Sequence, residues 1–157
     1  MEIALILASV LIMSRIYSEY LTRGRDELFE FHDFLEKMNL RVLAYLDTGG
    51  DFVRGEYYKA LDRVGFTRGV TEGKGLFEAY SDCMPRLAIS RSDKSLLFDF
   101  FKEYGRGDMA TEIKRTEKII GSLATRLESA RTENEKKIKV FTSVALAVCL
   151  GIVILIM

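Results

Sequence analysis

The chain has 157 residues, a length typical of one domain of roughly 100–200 residues. Lys and Arg together number 23, as do Asp and Glu, and this balance argues against a nucleic-acid-binding protein, which carries a basic surplus. A hydrophobic fraction of 48% excludes disorder over most of the chain, and the two cysteines give no disulfide framework.

The chain begins with an apolar segment that covers residues 3–13. A cleaved signal peptide has basic residues before its apolar segment and a small-residue cleavage site after it. Here Glu2 precedes the segment and Ser-Arg-Ile-Tyr follows it. We therefore interpret residues 1–17 as an uncleaved transmembrane helix, slightly short, with Tyr17 and Tyr20 at the membrane interface.

Residues 18–139 read as a helical domain without a convincing strand pattern. Apolar residues at spacings of three and four predict an amphipathic helix over Glu27–Leu46, which Gly49 and Gly50 end. The other predictions in this domain are a helix over 56–64 stopped by Gly65, a loop over 67–75, a helix over 76–83, and a helix to about Tyr104 capped by Ser92 and Asp93.

A long helix is predicted from Met109 to Met157. Gly105 ends the preceding helix, Asp108 occupies the N-cap position, and Glu112 in the first turn suits the helix dipole. A heptad follows at Ile113, Thr116, Ile120, Leu123, Leu127, Ala130 and Asn134. Because polar and small residues interrupt this seam, packing against the other helices of the domain is favoured over a free dimeric coiled coil.

The last predicted element is a second transmembrane helix over residues 140–157, which are 18 residues without a charge. Ser143, Ala147 and Gly151 form a stripe of small residues on it, which lets another helix approach closely. Basic residues follow the first span and precede the second, so the positive-inside rule places residues 18–139 in the cytoplasm. These basic residues are Arg15, Arg23, Arg25, Arg126, Arg131, Lys136, Lys137 and Lys139.

No catalytic, cofactor or metal site is indicated. The only histidine, His32, has no second ligand at a suitable spacing and is interpreted as a residue at the edge of the core. The segment Gly69–Gly75 lacks the residue count, the Ser or Thr and the preceding strand of a phosphate-binding loop. The sequence therefore predicts a protein that is not an enzyme, with no cofactor and no nucleic-acid partner.

The chain resembles the stage III sporulation protein AB family in its length, its two apolar ends, and most clearly in residues 97–157. Phe101-Lys-Glu-Tyr-Gly-Arg-Gly-Asp108 stands where the family has a similar Phe- and Gly-containing segment before its long helix. The basic juncture Glu135-Lys136-Lys137 and the apolar run that follows it are also similar to the family pattern.

This resemblance implies a cytoplasmic helical domain similar to those of the type II secretion F protein, held in the mother-cell membrane that faces the forespore. It also implies a non-enzymatic scaffold of the channel complex between the two cells. The implied partners are stage III sporulation protein AA, a secretion-type ATPase, and the small multi-span proteins AC and AD. The alternative is a generic two-span adaptor that forms homo-oligomers through its long C-terminal helix.

Overall fold

The computed structural model describes residues 2–43 and 58–156. Over these ranges the chain is helical and contains no strand, which confirms the all-α prediction. A 3₁₀ turn, Met84–Arg86, precedes the fifth helix. The α-helices of the described residues are α1 (Glu2–Leu43), α2 (Lys59–Val64), α3 (Phe66–Thr71), α4 (Leu76–Cys83), α5 (Arg91–Glu103) and α6 (Met109–Ile156).

Several predicted helix boundaries are confirmed. The helix α4 has the predicted bounds, α6 begins at the predicted Met109, and Gly65 ends α2 with a φ of +88°. The amphipathic helix predicted from Glu27 is the second half of α1, which continues from residue 2 without a break. The predicted continuation of this helix to Leu46 and its stop at residues 49–50 lie outside the described residues, as do residues 56 and 57 of the next predicted helix. Tyr58 is described and is the N-cap residue of α2, so this helix begins at Lys59, later than predicted.

Two predictions in the middle of the chain are wrong. The predicted loop over 67–75 contains the helix α3, whose Gly69 lies so close to α4 that an added Cβ would stand 3.1 Å from the Cβ of Ala79. The cap of α5 is Ser90 rather than Ser92 and Asp93, because the Ser90 hydroxyl accepts a hydrogen bond of 3.1 Å from the Asp93 N–H. In both cases the glycines and polar residues have a packing or capping role that their spacing alone does not reveal.

The core of the domain is built around an aromatic cluster. Phe31 of α1 is fully buried, and its ring centroid lies 5.2 Å from Phe66, 5.7 Å from Tyr80 and 6.2 Å from Phe101. The first two pairs meet edge to face, the arrangement that the aromatic quadrupole favours. One side chain of α1 thus joins α3, α4 and α5.

The two longest helices, α1 and α6, pack against each other in antiparallel directions. The rings of Tyr17 and Phe141 are 5.3 Å apart, and the Asn134 side-chain amide donates a hydrogen bond of 3.2 Å to the Leu21 carbonyl. Leu123, on the predicted heptad, is fully buried in the core. The heptad side of α6 therefore packs within the domain, as its interrupted pattern predicts.

The approach of α1 to the segment before α5 depends on Gly24. An added Cβ at this position would stand 2.8 Å from the carbonyl oxygen of Ala88, a distance that real Cβ atoms do not show. A glycine in the interior of a helix is unfavourable by about 0.5–1 kcal/mol relative to alanine. Glycine at position 24 therefore lowers the helix propensity of α1 but allows its backbone to lie in close contact with the backbone at Ala88.

Candidate interaction surfaces

Three residues that the sequence predicted to be important lie around the start of α6. Gly105 and Asp108 precede this helix, and Glu112 lies in its first turn. Gly105 has a φ of +82°, in the left-handed region that glycine adopts without strain. Asp108 Oδ1 accepts a hydrogen bond of 2.8 Å from the N–H of Thr111, so the predicted N-cap is confirmed. Hydrogen bonds from Thr111 lower the pKa of Asp108, and the bond to the Thr111 side chain has a larger effect than the bond to its N–H.

Glu112 has a larger role than the predicted interaction with the helix dipole. Its Oε1 accepts hydrogen bonds from the Gly107 N–H at 2.8 Å and from Arg115 Nη1 at 2.7 Å. Arg115 Nη1 also donates to the carbonyl of Glu103, the last residue of α5, at 2.9 Å. Glu112 is only 8% exposed. This clasp of Glu112 and Arg115 fixes the turn between α5 and α6.

The stripe of small residues in α6 lies on the surface. Ser143, Ala147 and Gly151 are all exposed, and an added Cβ at Gly151 would meet no atom within 4 Å. Elsewhere on the same helix, Asn134 and Phe141 contact α1. Within the described residues the stripe is thus open to another helix.

The N-terminal part of α1 (residues 2–21) and the C-terminal part of α6 (residues 134–156) form an antiparallel helix pair, which we call the stalk. It carries six large aliphatic side chains that are between 48 and 68% exposed: Ile12, Met13, Ile16, Val140, Val144 and Val148. A concentration of exposed apolar side chains on two paired helices marks a surface that contacts a partner or a membrane. Among the described residues, no helix contains a stretch long and apolar enough to cross a membrane.

A groove of about 690 Å³ lies beside the base of the stalk, between α1, α6 and the start of α5. Five basic and two acidic side chains line it, together with polar and apolar residues. The basic residues are Arg25, Arg91, Lys94, Arg126 and Lys137, and the acidic residues are Asp93 and Glu133. Three of the five basic side chains form ion pairs, Arg25 with Asp26, Arg126 with Asp93, and Lys137 with Glu133.

Two glutamates of α1 have roles that the sequence analysis missed. Glu30 Oε2 accepts hydrogen bonds from the N–H groups of Ala60 at 2.7 Å and Leu61 at 2.8 Å, and so caps α2 from a different helix. Glu27 is fully buried, and its Oε2 accepts a hydrogen bond of 2.5 Å from the N–H of Ala88. Burial raises the pKa of Glu27 above its ordinary value, although hydrogen bonds from Ala88 and Arg23 oppose this shift.

A signal for one of these roles was present in the sequence. Glu27 lies four residues before Phe31 and eight before Leu35, on the face of α1 that is otherwise apolar. A carboxylate in an apolar stripe predicts a buried group with a hydrogen-bonding partner. The partner itself, Ala88, is 61 residues away and is fixed only by the fold.

The described residues contain no group of three or more His, Cys, Asp and Glu side chains that could hold a metal ion. His32 is partly buried, with its Nδ1 3.7 Å from the Glu36 carboxylate. Cys83 lies fully buried in the core, and burial raises the pKa of its thiol to about 12. A thiol with this pKa is protonated near neutral pH, so it is a poor nucleophile.

The sequence of the chain matches a known protein family. The family model described as stage III sporulation protein AB matches residues 59–157, more than half of the chain. The match covers α2 to α6 and includes the clasp, the small-residue stripe and most of the groove. No curated protein and no solved structure matches the chain.

Proposed function

Since the chain belongs to the stage III sporulation protein AB family, and so has a role in stage III of sporulation, we propose that it is a non-enzymatic membrane scaffold. It is a component of the channel complex between mother cell and forespore. Residues 1–17 and 140–157 span the mother-cell membrane that faces the forespore, and residues 18–139 lie in the cytoplasm. This helical domain is similar to those of the type II secretion F protein.

The observation that carries this proposal is the stalk. Its two helices run antiparallel, so the apolar segments near the two ends of the sequence lie side by side. Their large aliphatic side chains are half to two-thirds exposed, and a lipid environment removes the cost of exposing them to water. Lys136 and Lys137 at the base of the stalk, and Arg23 and Arg25 just below it, have the distribution expected of cytoplasmic flanks.

The proposed partners divide between the two parts of the molecule. In the membrane, the stripe of Ser143, Ala147 and Gly151 is open and fits a helix of the multi-span proteins AC or AD. In the cytoplasm, the helical domain docks the secretion-type ATPase, stage III sporulation protein AA. The rival function, an adaptor that self-associates through α6, is less well supported because Leu123, on the heptad that would form the coiled coil, is buried inside the domain.

The first test concerns topology. Glu117 is exposed on α6, so Glu117→Cys, with Cys83→Ala and Cys149→Ala, provides one reactive thiol outside the proposed spans. We expect this thiol to stay unlabelled by a membrane-impermeant maleimide in intact cells and to react fully after lysis. Rapid labelling of intact cells would refute the cytoplasmic location.

The second test concerns the partners. Gly151→Leu fills the open stripe, so we expect roughly three- to thirtyfold less recovery of AC and AD with the full chain from solubilised membranes. The ATPase, which contacts the cytoplasmic domain, should be recovered as before. Val148→Leu, next to the stripe and about 100° around the helix from Ala147, is the control and should leave all three partners bound.

The outcomes separate the two functions. Equal recovery of AC and AD with both variants would exclude the stripe as their contact. Failure of the wild-type chain to recover the ATPase would refute the scaffold. Recovery of a differently tagged second copy in its place would support the self-associating adaptor.

A further inference from the structure

The groove at the base of the stalk combines two properties that a simple charged patch lacks. Its basic side chains outnumber its acidic ones by three. Its lining also includes apolar residues at the stalk end, where Tyr20 is exposed and Leu21 and Ala130 are partly buried. A groove with a basic part and an apolar part suits a ligand that is itself amphipathic.

The charges in the groove are not all neutralised by the protein. Arg126 is held by the Asp93 carboxylate and by the Ser92 hydroxyl, and Lys137 is paired with Glu133 at 3.0 Å. Arg91 and Lys94, in contrast, form no ion pair with any described residue. These two residues stand three positions apart in the first turn of α5, so they share one face of that helix.

The position of the groove indicates where its ligand comes from. Tyr20 and Lys137 line its stalk end, and each is three residues from the nearest proposed span, about 5 Å along a helix. This places the stalk end of the groove within one Debye length of the membrane surface, where basic side chains attract anionic lipids. The backbone of α5 beside the groove is held in place, because the Tyr80 hydroxyl donates a hydrogen bond of 2.9 Å to the Lys94 carbonyl.

We propose that this groove binds the phosphate-containing headgroup of an anionic phospholipid from the cytoplasmic leaflet. Arg91 and Lys94 contact the phosphate, and the apolar stalk end of the groove accommodates the glycerol backbone and the first methylenes of the acyl chains. The inference rests on the proposed membrane location of the stalk. It adds a lipid ligand to the scaffold and fixes the depth at which the cytoplasmic domain lies against the membrane.

The experiment uses the full chain in detergent micelles, titrated with phosphatidylglycerol or phosphatidylcholine and followed by native mass spectrometry. The groove variant is Arg91→Gln with Lys94→Gln. The matched control is Arg68→Gln with Lys102→Gln, which removes two exposed basic side chains outside the groove. A third arm adds glycerol phosphate, which has the same phosphate chemistry but no acyl chains.

We expect the wild-type chain and the control to prefer phosphatidylglycerol over phosphatidylcholine. The groove variant should bind phosphatidylglycerol about 30-fold more weakly, since each basic residue contributes about a fivefold factor near a membrane surface. Glycerol phosphate should not displace the lipid. Circular dichroism should give the same helix content for all three chains, because none of the four substituted residues is buried.

Each contrary result overturns the inference in a distinct way. Equal losses in the groove variant and the control would reduce the effect to net charge, and displacement by glycerol phosphate would identify a site for a small anion. A groove variant that keeps its lipid affinity but loses AC, AD or the ATPase would identify a protein-binding surface. Alkaline extraction separates the underlying proposal: release of the chain from membranes refutes the membrane scaffold, whereas retention without a preference for phosphatidylglycerol refutes the groove alone.

Discussion

Replacement of Glu30 by alanine should destabilise the domain through a helix to which Glu30 does not belong. Glu30 Oε2 accepts hydrogen bonds of 2.7 and 2.8 Å from the N–H groups of the second and third residues of α2. These are the N–H groups that the side chain of an N-cap residue normally binds. Tyr58, at the N-cap position itself, makes no side-chain cap bond. Glu30→Ala thus leaves two helix N–H groups without their acceptor.

The size of the effect follows from the burial of these groups. Ala60 is 3% exposed and Leu61 is fully buried, so water replaces the lost acceptor poorly. A hydrogen bond to a charged group contributes about 1.5–3 kcal/mol, and loss of an ordinary cap costs about 0.5–2 kcal/mol. We expect a loss of about 2–4 kcal/mol for Glu30→Ala, and about 1 kcal/mol for Glu30→Gln, which keeps an acceptor oxygen but loses the charge at the helix N-terminus.

The assay is thermal unfolding of the full chain in detergent, together with hydrogen exchange of peptides that cover residues 58–65. For a chain of this length, the loss lowers the Tm by roughly 5–12 °C, and exchange should accelerate first at Ala60 and Leu61. Glu36→Ala makes the same change at an exposed position on α1 and should have little effect. The reasoning is refuted if the two alanine variants unfold at the same temperature with the same exchange pattern.

Two further predictions concern other carboxylates. Asp108→Ala should accelerate hydrogen exchange at the Thr111 amide roughly five- to tenfold, whereas Asp108→Asn, which keeps a capping oxygen, should leave it nearly unchanged; equal acceleration by both would indicate a role for the charge. The raised pKa of Glu27 means that the folded state binds the proton of this carboxyl group more tightly than the unfolded state does. The contribution of Glu27 to stability is therefore greatest below pH 4.5, the ordinary pKa of the group, and declines as the pH rises through the raised pKa. The free energy of unfolding of Glu27→Gln, which can still accept from Ala88, should therefore decline less between pH 4.5 and 7 than that of the wild type; parallel pH profiles would contradict this.

The parts of the fold that the sequence predicted are those set by local spacing. The cap at Asp108 and the bounds of α4 follow from a polar residue or an apolar repeat within a few positions, and both are confirmed. The predicted loop failed at Gly69, because the glycine that suggests a turn is needed for close contact with Ala79. A contact of this kind depends on how α3 and α4 pack, and spacing along the chain does not contain it.

The candidate surfaces show the same division. The residues of the small stripe could be grouped from the sequence, because a period of four places them on one face of a helix. The groove could not be found in this way, since Arg25, Lys94 and Lys137 come from three helices that are distant in sequence. Glu30 was missed for a related reason: its acceptor role depends on the arrival of Ala60, 30 residues later.

The antiparallel pairing of α1 and α6 also sets an order of assembly during synthesis. The hydrogen bond between Leu21 and Asn134 joins residues 113 positions apart, and at about 5–20 residues per second the ribosome needs roughly 6–23 s to make that stretch. Ile12, Met13 and Ile16 emerge at the start of this interval and have no helical counterpart until its end. During that interval the nascent N-terminal helix exposes apolar side chains and lacks the helix with which it pairs. It therefore depends on early delivery to lipid or to a chaperone to avoid aggregation.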